Sequence, residues 1–323
     1  MKSLNEVVQG IFEAAIKKHA SDISMHPYLD AYEIRLTIMG ESQLYQVIDF
    51  ERGKQIINNL KFRSSMSLSE HRRPQTGAMT IRNGVYSRMA SVGDFLGREA
   101  VVIRLIYQRT SDLNEYFFEE QLNLILSKAQ NKGLILFSGP VGSGKTSTMY
   151  QVARKIGQQV MTIEDPVEIF EPRFLQLQVN NLAQMDYPTM IKATLRHRFD
   201  ALIVGEIRDE ETAINTVKAA LGGHLVLSTV HALNAAGVVN RMISFGIKRE
   251  DLKQTLRLIN YQRLIPTVQE GRSKVLFEQL THEQLESIEG KDTKISCDWG
   301  EKLAECLQKK KITEDIFEKF KEG

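Results

Sequence analysis

Apolar positions follow two different patterns, and the change falls near residue 110. Over residues 3–19, Leu4, Val7, Val8, Ile11, Phe12, Ala15 and Ile16 recur at helical spacing, with Lys17 and Lys18 in the last turn. That spacing predicts an amphipathic helix with cations at its carbonyl end. Tyr32, Ile34, Leu36 and Ile38 then alternate with polar neighbours, the period of a half-buried strand. Phe50, Ile56, Ile57, Leu60 and Phe62 predict a second helix. Further strands are expected over residues 78–81, 85–91 and 100–107, with turn signals at Asn83-Gly84 and Gly97. Together these make a small α+β domain over residues 1–108, followed by a polar linker over 109–117.

Beyond the linker the apolar residues come in short continuous runs, at 134–137, 160–163, 175–179, 201–204 and 225–229. Helical stretches over 148–156, 187–196 and 211–221 lie between most of them. Continuous apolar strands with crossover helices mean an α/β fold, a parallel sheet covered on both faces. Residues 118–323 form this second domain, and residues 250–261, 298–308 and 313–321 read as C-terminal helices. In such a sheet, ligands sit at the carboxyl ends of the strands.

Composition narrows the classes. The chain has 323 residues, 42% hydrophobic and 25% charged, with a formal charge of +2. That length suits two domains, and the near-balanced charge gives no global field for nucleic acid. Cys297 and Cys306 are too few for a disulfide framework or a four-cysteine zinc site. No signal-peptide pattern opens the chain, and no apolar run nears the ~20 residues that cross a bilayer. The expectation is a cytoplasmic protein whose membrane association runs through partners.

Candidate chemistry gathers at three strand ends. After the run 134–137 comes Gly139-Pro140-Val141-Gly142-Ser143-Gly144-Lys145-Thr146-Ser147. A glycine-rich turn between strand and helix, closed by Lys-Thr, is the phosphate-binding P-loop in its confirming context. Its glycines let successive N–H groups face phosphate oxygens, and the helix N-terminus favours the anion. Lys145 supplies a compact cation for the β- and γ-phosphates, and the Thr146 hydroxyl a ligand for Mg²⁺. The next two ends carry acids: Glu164, Asp165 and Glu168 after one strand, Glu206 and Asp209 after another. A carboxylate on a neighbouring strand can support hydrated Mg²⁺ or the attacking water. Asp209, before Glu210 and Glu211, reads as a helix cap. Glu164, Asp165 and Glu168 are not separated by sequence physics, although one at least should face the phosphates. His224 and His231 bracket the strand over 225–229, as candidates for sensing the γ-phosphate or as structural histidines.

The blocks GPVGSGKTST, TIEDPVE, ALIVGEIRDEETA and GGHLVLSTVH, in that order, resemble the four signature boxes of the secretion ATPase superfamily. This superfamily comprises the type II secretion and type IV pilus motors. The likeness extends upstream through Ala20-Ser21-Asp22-Ile23 and Arg72-Arg73-Pro74-Gln75-Thr76-Gly77, and so covers most of the chain. It implies a RecA-like P-loop ATPase domain behind a PAS-like N-terminal domain, with ATP and Mg²⁺ as cofactors. It also implies that Thr146 and Glu206 support the metal, partly through water, and that Glu168 is the general base. Arg88 and Arg104 match arginines that family members bring from the N-terminal domain to the nucleotide. Read as residues alone, these are ordinary strand arginines.

Leu195-Arg196-His197-Arg198, Tyr261-Gln262-Arg263-Leu264-Ile265 and the short length most resemble the family's competence branch, which powers a transformation pilus for DNA uptake. That branch implies a homo-hexamer acting on a polytopic membrane protein, and through it on pseudopilins, with no direct nucleic-acid contact. Two departures stand out. His197-Arg198-Phe199 replaces the usual acid and proline before Asp200, and the zinc module of secretion-type members has no counterpart, so no zinc is expected. A nucleotide-gated scaffold with little turnover remains an alternative. A RecA-type DNA-translocating ATPase is a second, disfavoured by the near-neutral charge.

Overall fold

The computed structural model describes residues 3–323 apart from 39, 82–84, 108–113, 158, 181–182, 270 and 289–296. The chain divides into two compact units, 1–109 with 168–170, and 110–167 with 171–323. The expected Asn83-Gly84 turn and residues 109–113 of the expected linker lie outside the described residues. Residues 114–117 are no linker: Asn114, Tyr116 and Phe117 are buried in the second unit. The polar stretch masks these anchors because the partners of Asn114 and Tyr116 come from elsewhere in the chain.

The first unit opens with α1 (Leu4–Lys17), started by a reciprocal Ser3–Glu6 capping box. Strands β1 (Asp22–Tyr28), β2 (Ala31–Ile38) and β3 (Glu41–Asp49) follow, then α2 (Phe50–Arg63), β4 (Gln75–Thr80), β5 (Tyr86–Gly93) and β6 (Glu99–Ile106). The six strands form one antiparallel sheet in the order β3-β2-β1-β6-β5-β4. Val8, Ile11 and Phe12 of α1 join Ile56, Ile57 and Leu60 of α2 against Ile23, Ile34, Met89 and Ile103 of the sheet. Alternation leaves the opposite face free for polar side chains. Sequence pattern misses β1 and β3. Pro27 and His26 interrupt the first, and the second is almost wholly exposed, so pairing with β2 defines it.

The second unit contains α3 (Glu119–Gln130), β7 (Gly133–Ser138), α4 (Lys145–Ile156), β8 (Val160–Glu164), β9 (Phe174–Gln178), α5 (Tyr187–Thr194), β10 (Ala201–Val204), α6 (Glu210–Leu221), β11 (Leu225–Thr229) and α7 (Ala235–Ser244). It ends with α8 (Arg249–Thr255), β12 (Leu256–Pro266), β13 (Ser273–Thr281), a 3-10 turn at His282–Ile288, α9 (Cys297–Gln308) and α10 (Glu314–Phe320). The sheet order is β13-β12-β7-β11-β10-β8-β9, and every pair is parallel except β12 with β13. Leu134 and Leu136 belong to a cluster with Met190, Val217 and Val239, while the alternate residues Ile135 and Phe137 are also fully buried. Both faces of β7 are therefore covered, as its unbroken apolar run predicts.

Two expectations change. The helix expected over 250–261 stops at Thr255, and the chain runs on as β12, which adds an edge hairpin to the sheet. The acidic strand β10 is not beside β7, since β11 with its histidines lies between them.

Candidate active site at the carboxyl edge of the parallel sheet

The turn after β7 is shaped by glycines held in conformations that other residues adopt only with strain. Gly139 has φ +137°, Gly142 +78° and Gly144 +83°. A Cβ on Gly139 would lie 2.2 Å from the Gln262 carbonyl oxygen, and one on Gly144 2.9 Å from Asn114 Nδ2. The same two neighbours brace the loop. Gln262 Nε2 donates to Ser143 O at 2.6 Å, and Asn114 Nδ2 donates to Gly144 O at 2.9 Å and to Thr148 Oγ1 at 2.8 Å. Lys145 Nζ donates to the carbonyls of Gly139 (2.8 Å) and Pro140 (2.9 Å), so the ammonium lies within the curl of the loop. Val141 is 91% exposed at the tip. Gly144 gives α4 no side-chain cap, and Thr146 and Ser147 stand half-buried in its first turn. An uncapped helix start with a cation beside it is an anion site.

Hydrogen bonds lace the ends of β7, β11 and β10 together. Val230 N donates to Phe137 O, and the Ser138 hydroxyl both donates to Ala232 O (3.1 Å) and accepts from Ala232 N (3.0 Å). On the other side of β11, Thr229 Oγ1 donates to Gly205 O at 2.8 Å and Ile207 N to Thr229 O at 2.9 Å. Glu206 is thereby fixed beside His231, with Oε2 3.6 Å from His231 Nε2, while Oε1 pairs with Arg208. The hydrogen bond to Glu206 holds the Arg208 guanidinium even more firmly in its charged form. The Tyr187 phenol enters the same group of charges. Burial first, then Glu206, Asp165 and Glu164, push its ionisation well above the usual phenol range.

Glu164 has a different setting from Glu206. It ends β8 in a buried position, and its Oε1 accepts from Tyr150 Oη and Thr162 Oγ1, both at 2.6 Å, with Gln176 Nε2 at 3.5 Å. Tyr150 belongs to α4, so this carboxylate ties the P-loop helix to β8 and β9. Burial and the neighbouring Glu164 raise the Tyr150 phenol far above its ordinary range, which keeps it a donor. Asp165 follows at the strand end, where its charge bears on both Tyr187 and Arg208.

Arg88, Arg104 and Glu168 are carried by the other compact unit, and the two candidate histidines stand at opposite ends of one strand. His224 precedes β11, and its carbonyl accepts from Gly133 N, the first residue of β7. In a parallel sheet that is the amino edge, one strand of five residues, or roughly 17 Å, from the P-loop side. There the His224 ring stacks on Phe199 with centroids 4.6 Å apart, and burial, then Lys132, lowers its proton affinity. His231, after the same strand, is the histidine at the phosphate edge. Arg88, Arg104 and Glu168 belong to the first unit. Arg88 on β5 is directly opposite Arg104 on β6, which is opposite Asp22 on β1, and Arg104 Nε donates to Asp22 Oδ1 at 3.0 Å. Opposed residues share a sheet face, so the row Asp22, Arg104, Arg88 stands on one side.

Sequence reading gives no role at the site to Asn114, Gln262 or Tyr187. Asn114 is hidden in a presumed linker. Gln262 enters only within the family-like block Tyr261-Gln262-Arg263-Leu264-Ile265, just past the expected helix over 250–261. Tyr187 looks like one more apolar helix residue; the only local hint is its place behind the capping Asp186.

The residues present fit a nucleoside triphosphate with a divalent cation. Left-handed glycines, a helix start without a cap, Lys145 and the Thr146 hydroxyl supply the donors that such an anion needs. The buried Ser143 Oγ, with no hydrogen-bond partner, adds a further polar atom inside the turn.

The family described as type II/IV secretion system protein matches residues 1–310. The chain is 41% identical to the competence protein ComGA of Streptococcus pneumoniae, over 81% of this chain and 85% of that protein. It is 33% identical to the competence protein ComGA of Bacillus subtilis, over 96% and 89% respectively. Among solved structures, the pilus retraction motor PilT with bound ADP superposes with a TM-score of 0.74, at 21% identity and over 96% of each chain. That likeness bears on fold: an N-terminal domain joined to a RecA-like core. Box order, edge geometry and relatives agree, and the chain belongs to the type II/IV secretion system protein family as an ATPase.

Proposed function

We propose that this ATPase powers assembly of a competence pilus of the type IV kind, for DNA uptake. The observation that carries the reading is the convergence of the P-loop, His231 and Glu206 on one laced edge, in a chain similar over most of its length to competence proteins. At that edge, the loop N–H groups and Lys145 would bind and orient the triphosphate, and Thr146 and Glu206 would hold Mg²⁺, Glu206 partly through water. The metal supplies charge neutralisation on the transferring phosphoryl group. Glu168 is assigned as the base that takes a proton from the attacking water. Glu164 is assigned to holding α4 against β8, because its Oε1 already takes donors from that layer. Arg88 and Arg104 would stabilise phosphoryl charge within a homo-hexamer.

The working ring would act on a polytopic membrane protein and, through it, on pseudopilins. Among the described residues no helix is long and apolar enough to cross a membrane, so recruitment through protein partners is part of the proposal. The test is Lys145→Ala, introduced at the native locus and also purified. It should bind ATP weakly, lose turnover by about 100-fold or more and abolish DNA uptake. Wild-type turnover would overturn the phosphate assignment. Lost turnover with full DNA uptake would overturn the pilus-motor reading alone.

A further inference from the structure

Tyr187 opens α5, directly after Asp186, whose carboxylate caps the helix through Thr189 N. Its phenol leaves the helix and reaches the acidic strand ends. The phenolic oxygen is 2.9 Å from where a Cβ on Gly205 would sit. That same point is 3.2 Å from Ile163 O and 3.4 Å from Glu164 Cα. Val204 and Ile163 are register partners across β10 and β8, and Gly205 N donates to Ile163 O at 2.8 Å. The hydroxyl is thus lodged over the notch where the two strands release their acids, Glu164 and Asp165 on one side and Glu206 on the other.

Two acidic strand ends facing one notch repel each other unless donors stand between them. Arg208 and His231 approach Glu206 from the β10 and β11 ends. From the α5 side, the Tyr187 phenol enters the same notch. Glycine at 205 fits this arrangement, because any side chain there would occupy the space that the hydroxyl uses.

We infer that Tyr187 is a positioning residue for Glu206: its hydroxyl, admitted by the missing side chain of Gly205, packs against the end of β10 and restrains the backbone that presents that carboxylate. Tyr187 acts through Glu206, and the inference rests on the proposed role of Glu206 at the metal and water.

The test uses the full chain, with steady-state ATP hydrolysis and fluorescent-nucleotide binding measured in parallel. Tyr187→Phe keeps the ring and removes only the hydroxyl. The expected result is a fall in kcat of about tenfold, with KM and nucleotide affinity within about twofold of wild type. Gly205→Ala should also slow turnover, because its Cβ displaces the hydroxyl. In the Tyr187→Phe background, Gly205→Ala should cost several-fold less, since the two changes remove one arrangement. An unchanged kcat in Tyr187→Phe, or equal effects of Gly205→Ala in both backgrounds, overturns the inference. Glu206→Gln separates the two levels. If it hydrolyses at the wild-type rate, the reading of the edge fails; if it is inactive while Tyr187→Phe is normal, only the positioning role fails.

Discussion

In the six-stranded sheet of the first unit, charged side chains stand on a face, whereas in the seven-stranded sheet of the second they collect at strand ends. The difference begins in the sequence pattern. Alternation in β5 and β6 buries Met89, Ile103 and Leu105 and turns Arg88 and Arg104 the other way, so a row of charge crosses three strands. The strands β7, β8, β10 and β11 are buried at every position, which leaves no face for exposed charge and moves the chemistry to strand ends such as Glu164 and to the loops beyond them. A face sets the Cβ atoms of directly opposed residues about 4.5–5.5 Å apart along a ladder and so spreads its charges in a row. A strand end can instead converge several groups on one point, as Glu206, Arg208 and His231 do. Faces suit wide anionic partners or a supplied arginine; ends suit phosphoryl chemistry.

The largest effect that would sharpen this contrast is expected at the edge. Glu206→Gln should retain ATP binding and lose about 100-fold in kcat. Glu168→Gln should behave likewise, and Glu164→Gln should not; the reverse order in phosphate-release assays would move the base to Glu164. Next come the face residues. Arg88→Ala or Arg104→Ala should lower kcat by tens of times, on the order of a partial arginine-finger effect. Mixed with wild-type chains in the proposed ring, such subunits should depress turnover more than in proportion to their fraction. A strictly proportional decline would break the comparison, since the face would then act only within its own subunit.

Smaller effects concern stability. Tyr150→Phe removes one donor from the buried Glu164 carboxylate and should destabilise the second unit by about 1–3 kcal/mol, read from denaturant unfolding, with modest change in KM. The smallest effect is a pH dependence at the amino edge. Because His224 is harder to protonate when folded, the unfolded chain binds more protons as pH falls below about 6.5. Stability present above that value is therefore lost on acidification. His224→Phe, which keeps a ring against Phe199, should flatten the fall in melting temperature between about pH 7 and 5. An unchanged slope would remove His224 from the account of acid sensitivity.

Much of this architecture is written locally. The P-loop is legible because strand, glycines, lysine and helix are contiguous, and the covered strands are legible because burial on both faces leaves an unbroken apolar run. What escapes local reading depends on distant partners. β12 carries Asn260 and Gln262 fully buried; Asn260 Oδ1 accepts from Gln279 and Gln262 Nε2 donates to Ser143 O, partners that no short window of sequence contains. β3 shows no alternation because it is exposed on both sides. The misplacement of His224 has another origin. Chain direction alone distinguishes the residue before a parallel strand from the residue after it, and only the latter reaches the carboxyl edge.

The support that β12 gives the P-loop carries a consequence for how this chain tolerates change in length. Gln262 backs Gly139 with its carbonyl and holds Ser143 with its amide, while Tyr261 is aligned with Ser138. One residue gained or lost between Leu256 and Gln262 would bring Arg263 or Tyr261 to that place and turn each side chain to the opposite face. The amide that steadies the turn would be exchanged for a guanidinium or a phenol, more than a hundred positions away from the motif itself. Past Pro266, the same insertion would leave the grip on phosphate intact, so the hairpin has one end fixed in frame and one end open to drift.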